Sequence, residues 1–509
     1  MSKCELLKEL FDRGLVNTRP GAIFETTPPP LGEGFDFRRI QGMLLGLAIG
    51  DSLGVTTESI NPGKRHARFG EITDYLPNRH AYNQRVGLPS DDTQLAFWTI
   101  EQILRDKAIN PENVAQRFTK QKIFGIGQTV LDFLRNYKAG VPWYKSGPES
   151  AGNGALMRIC PVMLPYMLSP SRELWADTVL LTMITHNDSA AIGCNLAFVS
   201  MLWELLQCQA PPPGEWYLNH FVRVLSEVEI NNNYSPRGGM YTDFRGTLGE
   251  YLTRVIPAAY QENLSVIDAC NTWYSGAYLL ETVPSMLYIL MKWGHDPEQA
   301  IIRAVNDTRD NDTTASLVGT ALGALHGIDA LPVRWINNLS GRCGENDVGR
   351  VFTLINRAEK QWWKSATKPV TGTINRFEGL YFYLRNSAYS PITANGIIYP
   401  TVEHAFQAAK TSDNEIKAQI ARMKSPGQAR KRGHQLILPP DWDEVKVDIM
   451  YDLLKQKFST YPDLMELLHS TGKIELIAGN SKDETFWGVC NGKGSNELGK
   501  LLMRVRERQ

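Results

Sequence analysis

Two short stretches of the chain set carboxylates beside hydroxyls at the head of an apolar, helix-forming run. The first is Pro89-Ser90-Asp91-Asp92-Thr93-Gln94, ahead of LAFWTIEQIL. The second is Asp310-Asn311-Asp312-Thr313-Thr314, ahead of ASLVGTALGALHG. No Lys or Arg lies within three residues of Asp91 and Asp92, so something else must offset their repulsion. A helix N-terminus is one answer, because its free amides and positive dipole end favour acids. Ser90 or Asp91 would then cap one helix, and Asp310 or Asp312 the other. A hard cation is the second answer. Oxygen-only ligands suit Mg2+, Mn2+ or Ca2+, and four carboxylates can hold two ions about 3.5–4 Å apart. One cap does not need two consecutive acids plus a hydroxyl, and the recurrence of the pattern favours the cation.

A third stretch, YPTVEHAFQAAK at 399–410, puts Glu403, Gln407 and Lys410 on one face of a helix. Buried, a Glu close to a Lys is a workable proton-transfer pair, each perturbing the other's pKa. Exposed, the same stripe is only solvated polarity. Further on, FWGVCNGKGSNELGKLLMRVR at 486–506 sets an aromatic pair and a glycine-rich turn ahead of a helix, a shape able to cradle phosphate. Trp487 there either stacks on a base or fills a core. The basic segment KAQIARMKSPGQARKR at 417–432 either meets a diphosphate or nucleic-acid backbone or forms a solvated face.

The elements that must position these groups fall into two parts. At 509 residues the chain is too long for one ordinary core. Its 43% hydrophobic and 21% charged residues are globular, and Lys+Arg and Asp+Glu both number 54, so no global charge selects nucleic acid or an anionic membrane. The seven cysteines are scattered and never spaced as CxxC, which argues against a disulfide framework or a thiolate zinc site. MSKCELLKEL lacks the apolar core of a signal peptide, and GMLLGLAIG is too short to span a bilayer. These features predict a soluble, cytoplasmic protein with no membrane partner.

Residues 1–35 read as an irregular tail with TTPPPLGEG as a spacer. From about Arg38 to Gly327 helical periodicity dominates, which predicts an all-α domain over 36–362. Gly42, Gly46, Gly50 and Gly54 recur every fourth residue, as do Ala315, Gly319, Gly323 and Gly327. Each set makes a smooth stripe on a helix, at about 0.5–1 kcal/mol per interior Gly. Close approach to a neighbouring helix is the natural reason, so the two helices should meet inside a tight bundle. A linker is expected at 363–373, followed over 374–509 by a smaller, mostly helical α+β domain.

The ordered set GLAIGDSLGVTTES, SDDTQ, SAGNGALMRICPV, THNDSAAIGCN and NDTRDNDTTASLVGTALGALHG resembles the ADP-ribosylglycohydrolase family, relatives of dinitrogenase-reductase-activating glycohydrolase. The resemblance implies an all-α fold with two Mg2+ ions, Mn2+ being an alternative, that cleaves the bond at C1 of an ADP-linked ribose. It implies Ser90, Asp91, Asp92, Asp310, Asp312 and Thr313 as metal ligands, and Asp312 and Glu58 as catalytic acids. Asn153, Gly154, His186, Gly239 and Tyr241 are implied in substrate binding. Many members read GGDSDT where this chain reads TRDNDT, which keeps both acids and loses the flanking glycines.

From 374 to 509, EH-x-FQA-x-K, TGKIELI, FWG and GKGSNELGKLLM are similar to the NADAR domain, whose members are N-glycosidases. Some act on early riboflavin-pathway intermediates and others remove ADP-ribose from guanine in nucleic acid. The resemblance implies Glu403, Lys410 and Glu484 as catalytic, and Asn386, Trp487 and Asn496 as substrate-binding. Relatives commonly read LVEGNxxxDxFWG where this chain reads LIAGNSKDETFWG, so one acid becomes Ala478 and another becomes Glu484, beside Asp483. The expectation is a two-domain hydrolase that removes ADP-ribose from modified protein, DNA or RNA and needs no obligate protein partner. The alternatives are a sensor of ADP-ribose or NAD with an inactive tail domain, and an N-glycosidase of free metabolites such as riboflavin precursors.

Overall fold

The computed structural model describes residues 2–32, 34–230, 232–363, 372–481 and 484–508. Most of the expected linker, and Asp483, lie outside these residues. Two compact units result: Met1–Thr73 with Pro89–Pro332 and Leu354–Lys364, and Asp74–Leu88 with Val333–Thr353 and Ser365–Gln509.

The first unit is helical, as periodicity predicts. At its centre the helices Arg38–Gly54 and Asn311–His326 run antiparallel along their glycine stripes. Gly42 faces Gly323, Gly46 faces Gly319 and Gly50 faces Ala315. A Cβ on Gly46 would sit inside contact distance of the Gly319 carbonyl, and the reverse holds as well. The stripe is therefore the contact surface itself, with backbone on backbone. The antiparallel fit brings the C-terminal end of the first helix to the N-terminal start of the second: Gly54 packs on the backbone of Asn311 and Asp312. Ser189–Leu205 and Leu279–Trp293, apolar nearly all round, pack against the second striped helix and are almost wholly buried.

One expectation is corrected here. The segment 1–35, read as irregular, carries a helix at Lys3–Asp12. Ser2 and Glu5 close a capping box on its first turn, and Leu7 and Leu10 bury one side. Its amphipathic repeat is short and is followed at once by a Pro- and Gly-rich stretch, which masks it in the sequence.

The second unit is α+β. The helices Val402–Ala408, Pro426–Gly433, Trp442–Thr460 and Glu497–Arg508 surround a core that includes Leu384, Leu454, Phe458, Leu468, Leu476 and Leu502. The hairpin Ile392–Ala394/Ile397–Tyr399 turns at Asn395-Gly396, both at positive φ, as a tight two-residue turn requires. Thr373–Ile374 pairs in parallel with Glu475–Leu476. This unit also takes in 74–88 and 333–353, where Gly87 N–H donates to the Asn338 carbonyl and Tyr75 Oη to that of Trp335. Among the described residues no helix is long and apolar enough to cross a membrane.

Candidate active sites

The capping question has a specific answer in the first unit. Ser90 is the N-cap of Asp91–Asp106, its Oγ accepting from the Asp92 amide at 3.3 Å. The remaining work is done by Asp51, from the striped helix. It accepts from the Ser90 amide at 3.0 and 3.1 Å, the Thr93 amide at 3.1 Å and the Thr93 hydroxyl. Asp91 and Asp92 are thereby left out of capping. At the second striped helix Asp310 stands in the N-cap position but makes no side-chain cap bond. Its Oδ2 instead accepts from Asn153 Nδ2 at 2.5 Å, and Asn153 Nδ2 also donates to Thr282 Oγ1 at 3.0 Å.

These acids converge. Glu58, Asp310 and Asp312 each offer a carboxylate oxygen within 4.8 Å of the others. Thr313 Oγ1 donates to Asp92 Oδ1 at 3.3 Å, joining the two acidic stretches directly. Asp92 Oδ2 and Asp312 Oδ1 are buried with no hydrogen-bond partner. Burial raises the Asp91, Asp92 and Asp312 carboxyls well above the usual carboxylate range, and the neighbouring acids raise them further. Glu58, at the solvent-facing edge, is raised to about 7 by desolvation and then by the charges of Asp310 and Asp51. Orphaned buried oxygens in an all-oxygen, net-negative nest are what a hard divalent cation would satisfy.

Around the nest, Gly152 and Gly154 pass directly over the His186 ring. A Cβ at Gly154 would lie 3.0 Å from His186 Cε1. His186 is buried, its Nδ1 bonded to Thr185 Oγ1 at 2.9 Å, and burial together with Arg158 lowers it to about 3. It is a neutral prop under the turn that carries Asn153. Gly239, at φ +84°, lets its loop lie on the Thr272 carbonyl, and Tyr241 packs edge-on to Tyr251. Arg237 anchors that loop on the fully buried Glu281, Nη2 to Oε2 at 2.7 Å.

In the second unit Glu403 is 2% exposed. Its Oε2 accepts from Asn386 Nδ2 at 2.6 Å; its Oε1 accepts from Gln407 Nε2 at 3.0 Å and Arg430 Nε at 2.9 Å. The buried form of the Glu403–Gln407 stripe is thus the one found. Lys410 Nζ lies 5.9 and 5.8 Å from the Phe406 and Trp442 ring centroids, and desolvation lowers its pKa while Glu403 opposes the shift. Trp487 meets Phe406 edge to face at 5.3 Å. Glu484 Oε1 accepts from the Phe486 and Trp487 amides at 3.0 and 3.1 Å, fixing the turn that presents Trp487. Asn496 spends its amide on backbone, accepting from the Ala478 N–H and donating to the Leu476 carbonyl, both at 2.9 Å.

The ADP-ribosylglycohydrolase family model matches residues 35–363. The chain belongs to this family. A NADAR domain model matches 362–508, directly after the ADP-ribosylglycohydrolase part. An uncharacterized protein of Archaeoglobus fulgidus is 29% identical over 310 residues, covering 60% of this chain and 92% of that protein. The N-glycosidase YbiA of Shigella flexneri serotype 5b is 38% identical over 125 residues, 24% of this chain and 78% of YbiA. The chloroplastic riboflavin biosynthesis protein PYRR of Zea mays is 39% identical over 120 residues, 21% of this chain and 19% of PYRR. Membership of a glycohydrolase family, with an N-glycosidase-like second part, makes the chain a hydrolase of glycosidic bonds.

Sequence reasoning missed several residues of both sites. In the ADP-ribosylglycohydrolase part, Asp51 is the lone acid in GMLLGLAIGDSLG, and a single carboxylate in a run otherwise apolar or Gly but for Ser52 was the available signal. Arg65 is fully buried, its Nη1 donating to the carbonyls of Val305 and Thr308 at 2.8 and 2.7 Å, which fixes the turn before Asp310. In the NADAR part, Arg430 was indistinguishable from its basic neighbours. Lys457 is fully buried, donating to the carbonyls of Tyr383 and Arg385 at 2.5 and 3.0 Å, which steadies the approach to Asn386.

Proposed function

We propose that the chain removes ADP-ribose from modified macromolecules, using the acidic nest of its first part and, in its second part, hydrolysing an N-glycosidic bond to guanine in DNA or RNA. The observation that carries this reading is the convergence of Asp92 and Asp312, distant in the chain, with one buried, unpartnered oxygen on each.

Two Mg2+ ions, held by Ser90, Asp91, Asp92, Asp310, Asp312 and Thr313, would supply Lewis acidity and lower the pKa of a bound water. Asn153 holds Asp310 in orientation through its amide, and Asp51 holds the turn from which Asp91 and Asp92 project. In the hydrolysis, water oxygen bonds to ribose C1 and the bond from C1 to the leaving atom breaks. The leaving group departs with the electron pair. Glu58, at the solvent-facing edge of the nest beside Asp310 and Asp312, is placed to take the water proton and return it to the leaving group. In the second part, Glu403 and Lys410 face the same proton accounting, with Trp487 available to stack on a base.

The test is to incubate the protein and Mg2+ with ADP-ribosylated arginine peptide, serine peptide and guanine-modified DNA or RNA. Free ADP-ribose is expected from at least one protein and one nucleic-acid substrate. None from any of them sinks the reading. Two observations favour second readings. Ala478 replaces an expected acid, and Glu484 is committed to its own turn, both of which suit an ADP-ribose or NAD sensor with an inactive second part. The likeness to PYRR suits N-glycosidase action on free riboflavin precursors. Calorimetric binding of ADP-ribose without turnover selects the first; turnover of the precursors in preference to modified nucleic acid selects the second.

A further inference from the structure

A cavity of about 430 Å³ lies in the second unit, a size at which proteins hold small ligands. Four stretches of chain supply most of its lining: 84–86, 336–352, 379–389 and 424–430. The first two precede the residues matched by the NADAR model, so the cavity belongs to the tandem chain and a lone NADAR domain would lack half its walls.

Its lining has two chemistries. Phe352, Phe382 and Tyr389 supply aromatic side chains, with the Arg385 guanidinium lying 5.4 Å over the Phe382 ring. Arg85, Lys424 and Arg430 supply positive charge, and Asp74 is the sole carboxylate among the lining residues. A fourth cation, Arg385, is already occupied by the Phe377 carbonyl and by Glu378. Arg85 and Lys424 are exposed, and among the described residues neither side chain makes a hydrogen bond or a close ion pair, although Asp74 feels the charge of Arg85. Arg430 spends its Nε on Glu403, leaving its terminal nitrogens for another acceptor. Aromatic faces take a planar ring, and clustered cations take phosphate oxygens.

We infer that this cavity binds a nucleoside diphosphate, with the base among the aromatic side chains and the phosphates at Arg85, Lys424 and Arg430. The site goes beyond the hydrolytic reading and stands on different side chains, except that Arg430 touches both. An occupant that engages Arg430 is therefore felt at Glu403.

ADP is the probe. It is titrated by calorimetry into the full chain in EDTA, which removes any divalent-dependent binding at the acidic nest. Saturable binding is expected, weakened about tenfold or more in Arg85→Glu/Lys424→Glu, equivalent to about 1.4 kcal/mol. Those positions are exposed, so the double variant should melt like wild type. Adenosine and pyrophosphate alone should each bind more weakly than ADP. A photoactivatable azido-ADP should label peptides from 336–352, 379–389 or 424–430, a readout independent of the variants. No binding at about 1 mM ADP, unchanged affinity in the double variant, or label confined to other peptides overturns the inference.

Discussion

In the first unit Asp92 and Asp312 each bury an oxygen that no hydrogen bond reaches, and the charges that act on them most strongly are other acids. In the second unit Glu403 is as deeply buried, yet both its oxygens are taken, by Asn386, Gln407 and the Arg430 guanidinium. The same residue class at the same depth is held in opposite ways. A buried carboxylate left uncompensated costs several kcal/mol, so the first site is the candidate for positive charge from outside the chain. The second brings its own cation and can be complete without one. The contrast teaches that orphaned oxygens, more than acidity, mark the place where a divalent ion is expected.

The largest effect that tests this contrast is metal response. Mg2+ at 100 times its Kd should stabilise the first unit by about 2.7 kcal/mol, read as an upward shift of its melting transition. The Asp92→Asn/Asp312→Asn variant should lose that shift and all divalent-dependent hydrolysis, while melting of the second unit stays insensitive to Mg2+. An equal Mg2+ response from both units would erase the distinction. Next, Glu403→Gln should lower N-glycosidase turnover about 10²–10⁴-fold without changing metal response, checked by kcat on modified nucleic acid.

Smaller effects sharpen the architecture beneath. Gly319→Ala forces a methyl against the Gly46 carbonyl, so the first unit should lose about 1–3 kcal/mol or more in urea unfolding, with the second unit unchanged. Lys457 supplies a pH dependence to the second unit alone. Burial lowers its pKa from 10.5 to about 7. Between these values the unfolded chain binds the extra proton, so stability rises with pH across that window by about 1.4 kcal/mol per unit and is flat below it. The neutral amine still offers two N–H donors, enough for the Tyr383 and Arg385 carbonyls. Lys457→Met should flatten the slope, measured by denaturant midpoints between pH 7 and 10.

Much of this was legible in the residues. Four-residue spacing of Gly announced backbone contact between two helices, because only a missing Cβ makes that repetition worth its cost. Paired acids with hydroxyls announced two helix starts with more charge than capping needs. What stayed illegible was the source of the caps. Asp51 satisfies amides 39 and 42 residues further on, and no local pattern marks that reach. Arg430 lies among other basic residues in the chain, so which of them pairs with Glu403 was hidden. The helix at Lys3–Asp12 was legible through Ser2 and Glu5 but was overshadowed by the proline-rich stretch after it.

By itself the sequence determined the helical first part, its striped helix pair, the α+β second part and the residue types able to bind a cation or move a proton. These follow from short-range periodicity and side-chain chemistry, which neighbours along the chain decide. Only the tertiary structure decided which carboxylates meet, which of their oxygens remain unpaired and which cation faces Glu403. Charge compensation depends on distance and desolvation in space, and both are set by the packing of segments that lie far apart in the chain.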